Sequence, residues 1–258
     1  MAPDLQLALE AADAAASVTL DAFRRPSLRV ETKADNTPVS EADQAAEAAI
    51  RELIGRQRPD DAVLGEEMGT TGSGGRRWVV DPIDGTANFV RGVPVWATLI
   101  ALEVDGHVDL GVVSAPALGR RWWARRGEGA YAGAPGGRVE KIHVSGIARL
   151  EDATVSSGCM GDFEHLDRIA GLRARAGRDR GFGDFWSHML VAEGACDVGL
   201  DPVASVWDLA ALQVVVEEAG GRFTDFSGVA RTDGGSAISS NGLLHDTVLA
   251  ALSGRDFD

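Results

Sequence analysis

Basic side chains are scarce in this 258-residue chain: 25 against 39 acidic ones, for a net charge of −14. So acidic a surface repels a phosphate backbone or an anionic lipid headgroup, and neither nucleic acid nor a membrane is expected as a partner. A phosphorylated small molecule stays compatible where bound cations reverse the sign locally. Cysteine is nearly missing. Cys159 and Cys196 lie far apart, and two buried free thiols in a reducing cytoplasm is the first reading, a disulfide the second. The Ala- and acid-rich N-terminus lacks the charged-then-apolar pattern of a secretory leader, and no apolar run reaches membrane-spanning length. The expectation is a soluble cytoplasmic protein. There is no Gly-x-Ser-x-Gly nucleophile elbow and no Gly-x-x-x-x-Gly-Lys phosphate loop, which removes the usual serine hydrolases and P-loop NTPases. Internal repeats and low-complexity segments are absent too.

What is present centres on Trp78-Val79-Val80-Asp81-Pro82-Ile83-Asp84-Gly85-Thr86. An apolar run of strand character ends in a carboxylate, a second carboxylate follows three residues on, and Gly-Thr can open a short helix. At a strand's carboxyl end this sets two hard-oxygen ligands beside backbone N–H groups, a place to hold divalent metal and phosphate together. The same letters also make ordinary turns.

With 45% hydrophobic and 25% charged residues, the chain can bury a full core as one large domain or two smaller ones. Apolar spacing predicts a helix over 4–24 and a second one from a Ser40 cap to before Pro59, with a loop or edge hairpin at 32–39 between them. Strands are expected at 62–64 and 78–80, with a surface turn at 72–75. Two long β runs over 95–115 flank Asp105-Gly106, a strong hairpin signal. Further strands are expected at 121–124 and 141–144, around a Gly-rich turn at 127–137. A soft boundary near 150 separates a 1–150 subdomain carrying most of the candidate ligands from a 151–258 subdomain. The latter is read as strand 153–156, helices at about 162–176 and 184–194, strand 198–200 and helix 206–219. Strands near 222–224 and 237–239 then precede a last helix capped by Asn241. The alternation implies a layered α/β or α+β sandwich.

Carboxylates gather at the ends of these elements: Asp35, Asp43, Glu66, Glu67, Asp81, Asp84, Asp201 and Asp208. Each also has a structural reading. Asp43 is three residues after Ser40 and fits a capping box. Asp208 is stabilised by the dipole of its own helix. Glu66 and Glu67 fit a solvated pair. None of His107, His143, His165, His188 or His245 lies within a few residues of these acids, nor does a cysteine. An all-oxygen set suits Mg²⁺ or Mn²⁺ better than zinc.

Four ordered motifs resemble the inositol monophosphatase family of metal-dependent sugar and polyol phosphatases. They are Lys33-Ala34-Asp35-Asn36-Thr37-Pro38-Val39-Ser40-Glu41-Ala42-Asp43, then Gly65-Glu66-Glu67, then Asp81-Pro82-Ile83-Asp84-Gly85-Thr86 with Asn88-Phe89 and Gly92. The last is Trp207-Asp208-Leu209-Ala210-Ala211 with Glu218-Ala219-Gly220-Gly221. The resemblance implies the layered αβαβα sandwich shared with fructose-1,6-bisphosphatase. It implies Glu66, Asp81 and the Ile83 carbonyl around one Mg²⁺, Asp81, Asp84 and Asp208 around a second, and a third, weaker ion near Glu66. It implies a water positioned by Glu66 and by Thr86 oriented by Asp43, with the N–H groups of Gly85 and Thr86 on the phosphate. A homodimer is also implied, with contact sought on the Trp-bearing middle strands.

Where inositol phosphatases usually carry Gly-Ser/Thr-Ala-Ala, this chain has Gly183-Asp184-Phe185-Trp186. Asp201 matches the family's acidic substrate contact. Two acids there suit a cationic alcohol better than a neutral polyol; the alternative for Asp184 is a helix cap after Gly183. This segment resembles the actinobacterial-type histidinol-phosphatases of the family, as do Arg91-Gly92-Val93-Pro94-Val95-Trp96, Arg120-Arg121-Trp122-Trp123-Ala124 and Ser205-Val206-Trp207-Asp208. The implied reaction is hydrolysis of L-histidinol phosphate. An inositol-1-phosphatase or broad sugar-phosphate phosphatase is the alternative, and a non-catalytic ligand-binding regulator the rival of another class. Trp122, Trp123 and Tyr131 read as core and interface aromatics, and Arg120, Arg121, Arg125 and Arg126 as a solvated edge with phosphate capture as the alternative.

Overall fold

The structure, a computed structural model, describes residues 2–25, 27–32, 38–158 and 166–254. In chain order they form α1 (Pro3–Ala22), the antiparallel pair β1 (Val30–Thr32) and β2 (Pro38–Ser40), α2 (Glu41–Gln57), β3 (Ala62–Gly65), β4 (Gly69–Thr71), β5 (Arg76–Asp84) and the short α3 (Thr86–Val90). Next come β6 (Ala97–Val104), β7 (His107–Ala115), β8 (Arg120–Arg125), β9 (Gly129–Gly133) and β10 (Val139–Lys141). There follow β11 (Thr154–Ser157), α4 (Leu166–Arg175), β12 (Arg178–Arg180), α5 (Asp184–Ala192), β13 (Val198–Asp201), α6 (Val206–Glu218), β14 (Arg222–Thr224), β15 (Ala237–Ser240) and α7 (His245–Ser253).

Side chains alternate across a strand, so strands apolar at every position must be covered on both faces. Trp78 and Val80 of β5, with Ile100 and Leu102 of β6, meet α1 and α2 through Leu7, Ala11, Ile50 and Ile54. Val79, Leu99 and Ala101 point the other way, onto α5 and α6. The sheet so covered has eight strands in the order β10-β9-β8-β7-β6-β5-β3-β4, with β3 and β5 parallel and the remaining pairs antiparallel. A second sheet, β12-β11-β13-β15-β14, packs Val155, Val198, Leu200 and Ile238 against α4 and α7. Helix pair, sheet, helix pair, sheet, helix pair is the αβαβα sandwich that the resemblance implies.

Helix α6 lies in the middle layer, against β5 to β9 on one side and β14 and β15 on the other. Its residues Leu209 to Val216 are all buried, because a helix between two sheets has no water-facing stripe to make polar. It comes close at Gly111 of β7, where a Cβ would stand 2.7 Å from the Ala211 carbonyl oxygen and 2.7 Å from a Val214 methyl.

Several expectations are corrected. The Gly-rich stretch 127–137 contains a strand, β9, because alternate Ala130 and Ala132 are small enough to pack inside. The following strand is Val139–Lys141 rather than 141–144. The exposed strands β4 and β12 carry no apolar pattern. The last helix starts at His245, and Asn241 instead accepts the Leu244 N–H just ahead of it at 3.2 Å. The middle arginines are not a free edge. Arg121 is buried and bonds Asp13 at 2.6 Å, Arg120 pairs with Glu193 and Glu140, Arg125 with Asp109 and Glu128, and Arg126 with Glu217. Phosphate capture by them has no support. Trp122 is core, and Trp123 stacks on Tyr131 at 6.3 Å. Cys196 is buried and free, its thiol pushed up to about 11 chiefly by burial. Asp35, the rest of 33–37, Cys159, His165 and the first turn expected at 162–165 lie outside the described residues.

Candidate active site

The stretch read as a strand ending at Asp81 is one longer strand. β5 continues to Asp84, and its register with β6 shifts between those two residues. Pro82 cannot donate to a ladder, so irregular pairing is the expected response. Asp81 Oδ1 accepts the Ile83 N–H at 2.9 Å and Thr98 donates to the Pro82 carbonyl at 2.8 Å, which hold the irregular segment in shape. The two carboxylates thereby reach one place, and Asp208, from the first turn of α6, meets them there. One oxygen from each of Asp81, Asp84 and Asp208 lies within 4.8 Å of the others.

Asp208 arrives by a cap. Its Oδ2 accepts the Ser205 N–H at 2.6 Å in a capping box, a tie that the helix-dipole reading did not include, while one of its oxygens also joins the cluster. Asp43 divides its oxygens in the same manner. Oδ2 accepts the Ser40 N–H at 2.8 Å and the Ser40 hydroxyl at 2.6 Å, and Oδ1 stands 3.2 Å from the Thr86 hydroxyl. Thr86 also lies 2.9 Å from the Ile83 carbonyl, and its single proton serves one of the two at a time. Gly85 precedes it at φ +83, and a Cβ there would also crowd the Val95 carbonyl at 3.1 Å and Asp184 at 3.3 Å. Position 85 is thus closed to other residues by backbone and by space.

Electrostatics fit a cation here. Burial pushes Asp81 and Asp84 well above the usual carboxylate range; Glu66, Asp84 and Asp208 add to the effect on Asp81, and Asp184 and Asp208 to that on Asp84. Burial lifts Asp208 to about 7, with Glu66 and Asp201 assisting and the Ser205 N–H opposing. Asp43 is raised mainly by burial. Carboxylates in mutual repulsion at depth take up either protons or a cation. The donors are all oxygen, which matches hard divalent ions. Asp81, Asp84 and Asp208 are suited to hold one, with Glu66 within electrostatic reach.

The turn that follows Glu66 is held by a residue that the sequence did not single out. Glu47 of α2 is fully buried and accepts the N–H groups of Glu67 at 2.8 Å and Met68 at 3.2 Å, with Arg51 as its ion partner at 2.7 Å. A Cβ on Gly65 would overlap the Glu47 carboxylate, so this glycine makes room for it. The available signal was spacing: Glu47 is one helical turn beyond Asp43 on the same face. Glu67 is held here by its backbone.

On the other flank, Asp184 is not the helix cap. Gly183 takes that position, and Asp184 is the first residue of α5 with φ +48. Its side chain is drawn to Asn88, whose Nδ2 stands 3.2 Å from Oδ2 and 3.0 Å from the Val95 carbonyl oxygen. The next N–H, of Phe185, donates to Asp84 at 2.7 Å. Burial and the nearby Asp201 push Asp184 up to about 6, and His188 opposes them. Asp201, at the end of β13, lies 2.9 Å from His188 Nε2. His188 lies one helical turn after Asp184 in sequence and reaches Asp201, 13 residues on, in space.

The Inositol monophosphatase family model matches residues 1–255. The chain is 54% identical over 254 residues to the histidinol-phosphatase of Mycobacterium tuberculosis, covering 97% of this chain and 98% of that protein. It is 49% identical to the histidinol-phosphatase of Streptomyces coelicolor, covering 98% and 97%. Its structure superposes on the Thermotoga maritima IMPase with a TM-score of 0.88 at 33% identity, over 98% of both chains. Sandwich, converging carboxylates and full-length likeness agree, and the chain belongs to the inositol monophosphatase family.

Proposed function

We propose that the chain is a Mg²⁺-dependent phosphomonoesterase that hydrolyses L-histidinol phosphate to L-histidinol and phosphate. The observation that carries the reading is the pair Asp184 and Asp201 standing beside the cluster of Asp81, Asp84 and Asp208. A phosphate end and a cationic end of one small molecule are then both provided for. The full-length likeness to two histidinol-phosphatases supports the choice of ester.

In this reading Glu66, Asp81 and the Ile83 carbonyl would hold one ion, Asp81, Asp84 and Asp208 would hold a second, and a third would bind more weakly near Glu66; Mn²⁺ could substitute. When bound, such ions supply positive charge to the phosphate oxygens and acidify a water. Glu66 and the Thr86 hydroxyl would position the attacking water, Thr86 itself standing 3.2 Å from Asp43. The Gly85 and Thr86 N–H groups, at the opening of α3, face the phosphate oxygens. Asp184 and Asp201 take the amine and imidazole end of the alcohol.

The other parts of the reading are a homodimer, a cytoplasmic location and a division near residue 150. The half-buried Trp123 and Tyr131 beside exposed Val139 support the first. A buried free thiol supports the second, and among the described residues no helix is long and apolar enough to cross a membrane. The eight-stranded sheet closes with β10 before 150 and the five-stranded sheet opens after it, which supports the third.

Phosphate release from L-histidinol phosphate, inositol 1-phosphate and fructose 1,6-bisphosphate, with Mg²⁺ and with EDTA, tests the proposal. L-histidinol phosphate is expected to have the highest kcat/KM, and EDTA or Asp84→Asn to abolish turnover. Undiminished release in EDTA refutes the mechanism. Equal kcat/KM on the three esters refutes the substrate and leaves a broad phosphatase.

A further inference from the structure

Asp201 does not set its own direction. Its Oδ2 is 2.9 Å from Nε2 of His188, and His188 Nδ1 is 2.8 Å from the Ser239 hydroxyl. The ring is completely buried and lies 5.7 Å from Phe223, centroid to centroid. Ser239 of β15 faces Gly199 of β13 in register, and a Cβ at Gly199 would come within 2.6 Å of the Ser239 oxygen. The missing side chain at 199 therefore leaves the space in which that hydroxyl stands. A column results: Gly199 admits Ser239, Ser239 fixes the ring, and the ring holds one oxygen of Asp201. A hydroxyl can donate or accept as the tautomer requires, so both ring nitrogens are satisfied and the ring has one orientation.

The other oxygen of Asp201, Oδ1, lies over Gly158, where a Cβ would come within 2.7 Å of it. Gly158 and Gly183 pack backbone against backbone beside it, so neither adds a side chain to this flank. Asp184, one helical turn before His188, is the neighbouring charge. His188 thus belongs to the same turn as one acid and holds the other.

We propose that His188 is the positioning residue that orients Asp201 toward the cationic end of the alcohol and so determines the preference for a cationic over a neutral phosphoester. This rests on the reading of Asp184 and Asp201 given above. The partners of His188 are Ser239, Asp201 and Phe223 rather than Asp81, Asp84 or Asp208, so its influence belongs in substrate binding rather than in the chemical step.

The test compares wild type, His188→Leu, His188→Gln and Ser239→Ala on L-histidinol phosphate and on glycerol 2-phosphate, with L-histidinol binding measured by calorimetry. For His188→Leu, KM for L-histidinol phosphate and Kd for L-histidinol are expected to rise about tenfold, with kcat and the constants for glycerol 2-phosphate within about twofold of wild type. His188→Gln, whose amide can still donate to Asp201, is expected to recover most of the loss. Ser239→Ala is expected to shift KM the same way by about two- to threefold. Equal loss on both esters makes His188 merely structural and overturns the proposal, as does an unchanged KM for L-histidinol phosphate. Should His188→Leu not fold, an unchanged KM in Ser239→Ala overturns it. A wild type with no preference between the two esters sinks the substrate reading as well; an undiminished preference in His188→Leu sinks this inference alone.

Discussion

Asp43 has two oxygens in two uses: one closes the start of α2 and the other faces Thr86. The structural and functional readings of that residue are therefore not rivals, and substitution can separate them. Thr86→Val is expected to lower kcat about 100-fold or more while the protein melts within about 2 °C of wild type. Asp43→Ala should lower kcat as well and additionally cost about 1 kcal/mol through the lost cap; comparing melting curves with turnover checks both. The cluster makes a second prediction. Asp81, Asp84 and Asp208 have folded-state values raised above their unfolded ones, Asp208 to about 7. Such groups favour the fold when protonated, and that contribution fades as pH rises through the folded value. Metal-stripped protein is therefore expected to melt several degrees lower at about pH 8 than at about pH 5, and added Mg²⁺ to restore most at the higher pH, where the ligands are ionised. Scanning calorimetry with and without chelator reads this; a stripped protein that melts higher at the higher pH would contradict it. Asp184 is a different case, an L-residue at φ +48. Asp184→Gly is expected to stabilise the fold by about 1 kcal/mol while narrowing the gap in kcat/KM between L-histidinol phosphate and inositol 1-phosphate.

At the scale of elements, the turn between β3 and β4 is held from outside by α2. Gly65→Ala alone should destabilise by about 1–3 kcal/mol, since its Cβ would enter the space of the Glu47 carboxylate. Glu47→Ala alone should cost a similar amount by leaving the Glu67 and Met68 N–H groups without their acceptor. Together the two should cost clearly less than the sum, because removing the carboxylate makes room for the methyl; urea melts of the four proteins give the coupling. Additive losses would show that the glycine serves something else. Helices and the long strands were legible in the sequence because their apolar period is unambiguous, as in Ala46 and Ile50 of α2 or the paired runs around Asp105-Gly106. The short β4 and β12 were not, since exposed strands of three residues carry no pattern. The site was half legible. Acids at element ends could be found by position, and ordered motifs supplied their grouping. Glu47 and His188 each follow a singled-out acid by one helical turn, but what each does there, holding a turn 20 residues on or an acid on another strand, is a tertiary contact that the spacing alone does not reveal.

At the scale of the whole molecule, the cluster is assembled across layers. Asp81 and Asp84 belong to the eight-stranded sheet and Asp208 to the helix packed on it, so the spacing between them depends on how closely α6 approaches β7 at Gly111. Gly111→Val is expected to force that helix outward, costing about 3 kcal/mol or more in stability and weakening Mg²⁺ activation although no ligand is touched. A variant with normal stability and normal Mg²⁺ dependence would show that the approach is not needed. The apolar circumference of α6 also bears on how the gene could be divided. Expressed by itself, the piece after residue 150 would carry a helix with no wet side and half of its covering gone, and the piece before it would show a bare sheet face. Separate halves should precipitate, whereas co-expressed halves should find each other and regain turnover, so the molecule is better regarded as two interlocking castings than as two beads on a string.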